Sequence, residues 1–134
     1  MKTKPVLTLE DVKKIAAGAE AEAVKNNWTV TISIVDDGGH LLWLQRLDGA
    51  APVSAWIGPQ KAITAAIGRR ESAVYEKMIN DGRFSFLSVT PVTPLEGGVP
   101  IIVEGHYVGA VGVSGVKSSE DVQIAKAGIA ALGL

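Results

Sequence analysis

The chain has 134 residues, 13 of them basic and 14 acidic, so its formal net charge is −1. This length suits one globular domain with a hydrophobic core of its own, and we expect a single domain over residues 1–134. Cysteine is absent, which excludes a disulfide framework and a thiolate site. The balanced charge, without any basic block, argues against nucleic acid as a partner.

The composition also predicts location and assembly. No run of about 18 apolar residues occurs, so no membrane-spanning segment is expected. The N-terminal segment MKTKPVLTLEDV lacks the apolar stretch and the cleavage site of a signal peptide, and we therefore expect a cytoplasmic protein. With 47% hydrophobic and only 20% charged residues, part of the surface is expected to be buried between the subunits of a homo-oligomer.

The N-terminal half predicts a helix, a hairpin and a second helix. Thr8 is a candidate N-cap, and the apolar residues after it recur at helical spacing until about Asn26–Asn27. WTVTISIV alternates apolar and polar residues, and HLLWLQRL follows the turn signal DDGG, so residues 28–47 are predicted to form a hairpin. Pro59 suits a first helical turn, which places the next helix at 59–68, after a turn or short helix.

The C-terminal half predicts a helix, a loop, a second hairpin and a last helix. RRESAVYEKMIND is predicted to be helical up to Gly82, and residues 83–98 to form a loop with one short strand at 86–90. VPIIVEGHYVGAVGVSG predicts the second hairpin, and Ser118 or Ser119 is the predicted cap of the last helix. Two hairpins without βαβ alternation indicate an α+β fold with an antiparallel sheet.

Four segments of the sequence resemble one known family. They are IVDDGGHLLWLQRLDGA, QKAITA, EGGVPIIVEGHYVGAVGVSG and EDVQIAKAGIAAL, and the likeness extends roughly from residue 8 to 132. Together they resemble the GlcG/HbpS family, which also includes the C-terminal domain of PduO-type proteins. The resemblance implies a three-layer α/β/α, profilin-like fold around a central antiparallel sheet. It also implies tight dimers that commonly assemble to octamers.

The resemblance implies two kinds of function. Some members of the family bind haem and serve as redox-linked accessory or sensor proteins. Others are encoded among catabolic genes for glycolate, diols or aromatic breakdown products, and an enzymatic role has been proposed for some of them.

The residues of this chain argue against haem. Haem iron takes His, Met, Cys or Tyr as its axial ligand, and the two histidines, His40 and His106, both lie at predicted turns. Some haem-binding relatives use a histidine in the first helix, and the corresponding segment here, AAGAEAEAVKNN, contains none. Met78 and Tyr75 stay open as ligands. We therefore expect no cofactor and no metal, with haem as the alternative.

Charged residues beside glycine-rich segments form the candidate site. Glu96 and Lys61 are the catalytic candidates, because a carboxylate or an amine of tuned pKa can move a proton. The substrate-binding candidates are residues that can hold a small carboxylate or let it approach the backbone: Arg46, Arg69, Arg70, Gly97, Gly98 and Ser114.

Structural roles are the alternatives for the same residues. Arg46 can pair with Asp48, Arg69 or Arg70 can complement the dipole of the preceding helix, and Lys61 can extend to solvent. The segment GAVGVSG is interpreted as close packing, because its spacing differs from a phosphate-binding glycine motif.

The leading hypothesis is a small-organic-acid-binding protein of carbon or aromatic catabolism. Its most specific form is a cofactor-free isomerase, an enol–keto tautomerase that acts on a small oxo- or hydroxy-carboxylate. Glu96 or Lys61 would move the proton while an arginine holds the carboxylate and steadies enolate charge. The alternatives are a haem-binding accessory or redox-sensing protein of the HbpS type, and a non-catalytic oligomeric module.

Overall fold

The computed structural model describes all 134 residues of the chain. In chain order the elements are α1 (Leu9–Lys25), β1 (Thr31–Asp36), β2 (Leu41–Arg46), α2 (Ser54–Gly68), α3 (Ser72–Asn80), a 3-10 helix (Phe84–Ser88), β3 (Gly98–Val103), β4 (His106–Ser114) and α4 (Ser118–Ala130). None of the helices combines the length and the hydropathy that crossing a membrane requires.

The four strands form one antiparallel sheet in the order β2-β1-β4-β3. Each predicted hairpin supplies an adjacent pair of strands, and β1 joins β4 across the middle, with Thr31 opposite Ser114 and Asp36 opposite Gly109. The strands β2 and β3 are therefore the edges of the sheet. Pro100 lies in the edge strand β3, where its missing N–H disturbs the hydrogen-bonding ladder least.

Helices cover both faces of the sheet, which confirms the predicted three-layer α/β/α arrangement. On one face α1 and α4 pack over the alternating apolar residues of the strands, including Ile32, Ile34 and Val113. On the other face α2 packs through small residues. The Thr31 and Ser33 side chains are buried beneath it: the Thr31 hydroxyl lies 2.7 Å from that of Ser54, and Ser33 donates to the Gly112 carbonyl.

The approach of α2 to β3 and β4 depends on two glycines. A Cβ on Gly98 would lie 2.1 Å from the Lys61 carbonyl oxygen, and a Cβ on Gly112 would lie 2.2 Å from the Gly58 carbonyl oxygen. Both neighbours are backbone atoms of the helix, which cannot rotate away as a side chain can. Glycine at these two positions therefore sets the distance between the helix and the sheet.

Three predicted boundaries were wrong. The helix α2 begins at Ser54, so Pro59 lies inside it; the tight first turn is already formed by bonds such as Ser54 N–H to the Ala51 carbonyl. The helix α3 begins at Ser72, because Arg69 adopts a left-handed conformation (φ 53°) that ends α2. The strand predicted at 86–90 does not form: residues 86–88 belong to the 3-10 helix, and the sheet consists of the strands β1 to β4.

Replacing Gly112 by alanine tests the close approach of α2. The added methyl overlaps the backbone of the helix, so we expect Gly112→Ala to lower the free energy of unfolding by about 3 kcal/mol. Gly105→Ala is the control, because Gly105 (φ +77°) has no neighbouring atom within 4 Å and should cost only about 1–2 kcal/mol for its left-handed backbone. Urea unfolding measures both; equal stabilities of Gly112→Ala and the wild type would contradict the packing argument.

Candidate functional site

A buried ion pair connects the two helical layers at one end of the sheet. Lys61 of α2 and Asp121 of α4 are only 4% and 1% exposed. The Lys61 ammonium donates to a carboxylate oxygen of Asp121 at 3.0 Å and to the Val113 carbonyl at the same distance. The Lys61 side chain therefore does not extend to solvent. It links α2, β4 and α4.

The neighbours of the pair supply the space and the remaining hydrogen bond. A Cβ on Gly97 would lie 2.6 Å from the Lys61 ammonium nitrogen and 2.7 Å from the Val113 carbonyl oxygen, so glycine at residue 97 leaves room for the bond between these two groups. The second carboxylate oxygen of Asp121 accepts the Val116 N–H at 3.2 Å. Burial raises the pKa of Asp121 above its usual range, against the opposing effect of the Lys61 charge. Desolvation of this carboxylate thus outweighs its attraction to the lysine.

Glu96 lies at the same end of the sheet and is bonded to the start of α4. The Ser118 hydroxyl donates to the Glu96 carboxylate at 2.7 Å. The N-cap position of α4 is occupied by Lys117, whose backbone N–H donates to the Glu120 carboxylate at 3.2 Å. The prediction that Ser118 or Ser119 caps α4 is therefore wrong.

The glycines after Glu96 form the entry to β3. Gly97 has φ +136°, a conformation that side chains rarely adopt. The Gly98 N–H donates to the Ser72 hydroxyl, which in turn donates to the Leu95 carbonyl. The entry is thus anchored to α3, with Glu96 on one side of Gly97 and the Lys61 ammonium against it.

Ser114 and Arg46 lie in a row across this end of the sheet. Thr31 of β1 pairs with Arg46 on one side and with Ser114 on the other. Two strand spacings separate the Arg46 and Ser114 backbones, about 10 Å. Arg46 is exposed, whereas Ser114 is buried.

The other two predicted arginines contact aromatic rings. The Arg69 guanidinium is 5.9 Å from the centre of the Tyr107 ring, and Arg70 lies 5.5 Å from that of Tyr75. Tyr107 pairs with Ile102, which is four residues along β3 from Gly98, or about 13 Å. The structure therefore gathers Glu96, Lys61 and the glycines at one end of the sheet and places the Arg69 guanidinium toward the other end. Arg70 contacts α3 instead.

The two histidines differ in their surroundings. His40 ends the turn between β1 and β2, its side chain is 81% exposed, and its Nδ1 atom lies 3.1 Å and 3.2 Å from the two carboxylate oxygens of Asp36. His106 opens β4 opposite Val103 and is half-buried. An apolar cleft close to this end of β4 is lined mainly by Leu7, Val103, Val108 and Leu132.

The partners of two candidate residues, Lys61 and His40, were not predicted from the sequence. Asp121 is the partner of Lys61, yet in sequence it is only one of two acidic residues in a first helical turn. No local pattern relates positions 61 and 121. Asp36 is the partner of His40, and here a signal exists: an aspartate that opens a glycine turn commonly bonds residues just after it.

Residues 7–130 match a family model described as "Haem degrading protein HbpS-like". The protein GlcG of Escherichia coli K12 is 53% identical over 114 residues, which cover 85% of each chain. This chain belongs to the HbpS-like family.

Solved structures of HbpS-like proteins share the fold. Streptomyces reticuli HbpS, solved as a double mutant, is 31% identical and superimposes with a TM-score of 0.91 over 100% of this chain and 92% of that chain. A structure described as a PduOC–haem complex is 27% identical, with a TM-score of 0.86 over 95% of each chain. The family resemblance and the fold predicted from the sequence are confirmed.

The solved relatives also correct one expectation. We expected no cofactor, chiefly because α1 contains no histidine. That expectation is wrong, since a relative with the same fold along nearly its whole length is a haem complex and the family is described by haem degradation.

The ion pair predicts a characteristic pattern of mutant stabilities. Lys61→Met or Asp121→Leu alone leaves one buried charge without its partner, and each should cost about 3–5 kcal/mol of unfolding free energy. The double variant Lys61→Met/Asp121→Leu removes both charges and should recover most of that loss. Urea unfolding at neutral pH measures all three; a double variant as unstable as the sum of the single variants would contradict this account.

The raised pKa of Asp121 adds a pH dependence to the same comparison. The folded protein holds the Asp121 proton more tightly than the unfolded chain does, so ionisation of Asp121 opposes folding. The quantity to compare is the free energy of unfolding of the wild type minus that of the double variant. This difference should fall as the pH rises from the ordinary aspartate pKa of 3.8 through the raised pKa of Asp121. A relative stability that increases over this range would contradict the assigned direction.

Proposed function

We propose that this HbpS-like protein binds haem and acts as a haem-linked accessory or sensor protein. The observation that carries the proposal is the PduOC–haem complex, whose fold matches 95% of this chain with a TM-score of 0.86. Function does not follow from fold alone, so the residues of this chain must also suit the group.

The residues present do suit a haem. A haem needs an axial donor to its iron, apolar surface against the macrocycle, and cations near its carboxylates. Two imidazoles are available. The turn that carries His40 packs beside Ile67, which is exposed. The hydrogen bond from Lys4 and, less strongly, the charge of Arg69 lower the pKa of Asp37 in the same turn. Since α1 contains no histidine, the donor in this chain must come from another element. Bound haem would supply a redox-active iron.

The tautomerase hypothesis ranks second. Glu96, Gly97 and Lys61 do lie together at one end of the sheet, which is what a small-carboxylate site requires. However, the Lys61 ammonium is buried and bonded to Asp121 and to the Val113 carbonyl, so it is poorly placed to exchange a proton with a ligand. None of the compared relatives is described as an isomerase.

Assembly into a homo-oligomer is the second part of the proposal. Exposed apolar side chains cover the outer side of the edge strand β2 and of α2: Leu41, Leu44, Val53, Trp56 and Ile67. Trp56 is 75% exposed, which is unusual for tryptophan on a monomer surface and typical of an interface. We propose that a second copy of this chain covers the Trp56 end of this surface.

Titration with haemin tests the binding proposal. We expect a saturable shift of the Soret band with about one haem per chain, because an axial side chain replaces solvent on the iron. The matched blank is haemin in the same buffer without protein, which reveals aggregation of the free pigment. Absorbance that rises without saturation, or a Soret band identical to that of free haemin, would contradict haem binding.

Replacing Trp56 by glutamate tests the assembly proposal. A charge at the centre of an apolar interface is costly to bury, so we expect Trp56→Glu to reduce the mass measured by light scattering. Phe84→Glu is the control, since Phe84 is also exposed (65%) but lies on the 3-10 helix, away from α2 and β2. The same mass for Trp56→Glu and the wild type would exclude this surface as the interface.

A further inference from the structure

The turn between β1 and β2 presents a histidine that is already oriented. One carboxylate oxygen of Asp36 accepts the Gly38 N–H and the His40 N–H, each at 2.9 Å. The Nδ1 atom of His40 lies 3.1 Å from that same oxygen. Asp36 therefore holds both the backbone of the turn and the imidazole ring.

The bond to Asp36 determines which ring nitrogen is open to a ligand. A carboxylate next to Nδ1 favours the tautomer with the proton on Nδ1, which leaves the Nε2 lone pair free. A carboxylate on the far nitrogen is also the usual second partner of a histidine that binds a metal. Because the His40 side chain is 81% exposed, a large planar group can reach Nε2 without rearrangement of the turn.

An apolar surface lies directly beside the turn. A Cβ on Gly39 would lie 3.3 Å from a side-chain methyl of Ile63 and 3.4 Å from one of Ile67, so the turn packs on the outer face of α2. Ile67 is exposed, and so is Leu41, which follows His40. A macrocycle bound to His40 would find branched aliphatic side chains next to it, which suit its apolar faces.

Two cations lie near the same turn. Lys4 forms an ion pair with Asp37, and its ammonium, through this hydrogen bond, holds the pKa of Asp37 below its usual range. Arg69 contributes to the same lowering of the pKa of Asp37, through its charge. Since Lys4 is already paired with Asp37, Arg69 is the cation that could pair with a carboxylate of haem.

We propose that His40 is the axial ligand of the haem iron through Nε2, with Asp36 as the residue that positions its ring. The proposal rests on the proposed haem binding. It assigns the haem to the turn at 36–40 and the adjoining surface of α2. The alternative is His106, which lies nearer the apolar cleft; only His40 has its ring bonded to a carboxylate.

The two histidines provide a matched experiment. Haemin is titrated into the full-length wild type, His40→Ala, His106→Ala and Asp36→Asn, and affinity, Soret position and ferric EPR spectrum are recorded. We expect His40→Ala to weaken binding at least about tenfold and to lose the EPR signature of an imidazole-bound iron, whereas His106→Ala should match the wild type. Free imidazole should restore that signature in His40→Ala.

Asp36→Asn separates positioning from binding. Loss of a partner that orients a metal-binding histidine typically costs about 10–100-fold in affinity, so we expect weaker binding with the imidazole signature retained. Thermal melts of each variant check that the fold persists.

The possible outcomes separate the two proposals. If the wild type gives no saturable shift, haem binding and the His40 assignment both fail. If the wild type binds haem and His40→Ala binds it equally well with an unchanged spectrum, haem binding stands and the assignment to His40 is overturned. Loss of the signature in His106→Ala instead would assign the iron to the cleft beside β4.

Discussion

The buried pair between Lys61 and Asp121 is the constraint on which the arrangement of the three layers depends. Lys61 belongs to the helix on one face of the sheet and Asp121 to a helix on the other, and both charges are almost fully buried. Burying two charges is costly unless their geometry is well satisfied. Here the Val113 carbonyl and the Val116 N–H each add one hydrogen bond to the pair, so the pair favours one way of joining the layers.

The two ends of the sheet differ in how far their polar groups bond to one another. At the end held by the pair, Glu96 is bonded to Ser118, and Ser72 anchors the entry to β3. The polar groups there largely satisfy one another. At the other end of β1, the turn at 36–40 leaves an oriented imidazole open to solvent beside apolar side chains of α2. We therefore propose the turn as the position of the haem, although the predicted catalytic residues Lys61 and Glu96 lie at the opposite end of the sheet.

Much of the architecture was predictable from the sequence because its causes are local. Alternating residues in WTVTISIV and the DDGG turn signal specify a hairpin, and two such hairpins without crossover helices specify an antiparallel sheet. The errors arose where distant parts of the chain decide the outcome. The burial of Lys61 depends on Asp121, which is 60 residues away. The helix α2 begins before Pro59, at Ser54, whose hydroxyl contacts that of Thr31 in β1.

The candidate site was less predictable for the same reason. Charged residues were grouped by type, whereas the fold separates Arg69 from Glu96 by more than half the length of β3. The absence of a histidine from α1 suggested that haem is not bound. Because an axial ligand needs only a suitable position in space, a turn histidine held by Asp36 can serve in its place.

The central claim is that haem binds at the turn between β1 and β2, and paramagnetic NMR tests it most directly. Ferric haem broadens the amide signals of residues near the iron, so a spectrum of the labelled protein with and without haemin maps its position. The account predicts that broadening is centred on residues 36–42 and extends to residues 63–67 of α2. Broadening centred on residues 103–108, or on residues 94–98 and 114–118, would contradict it.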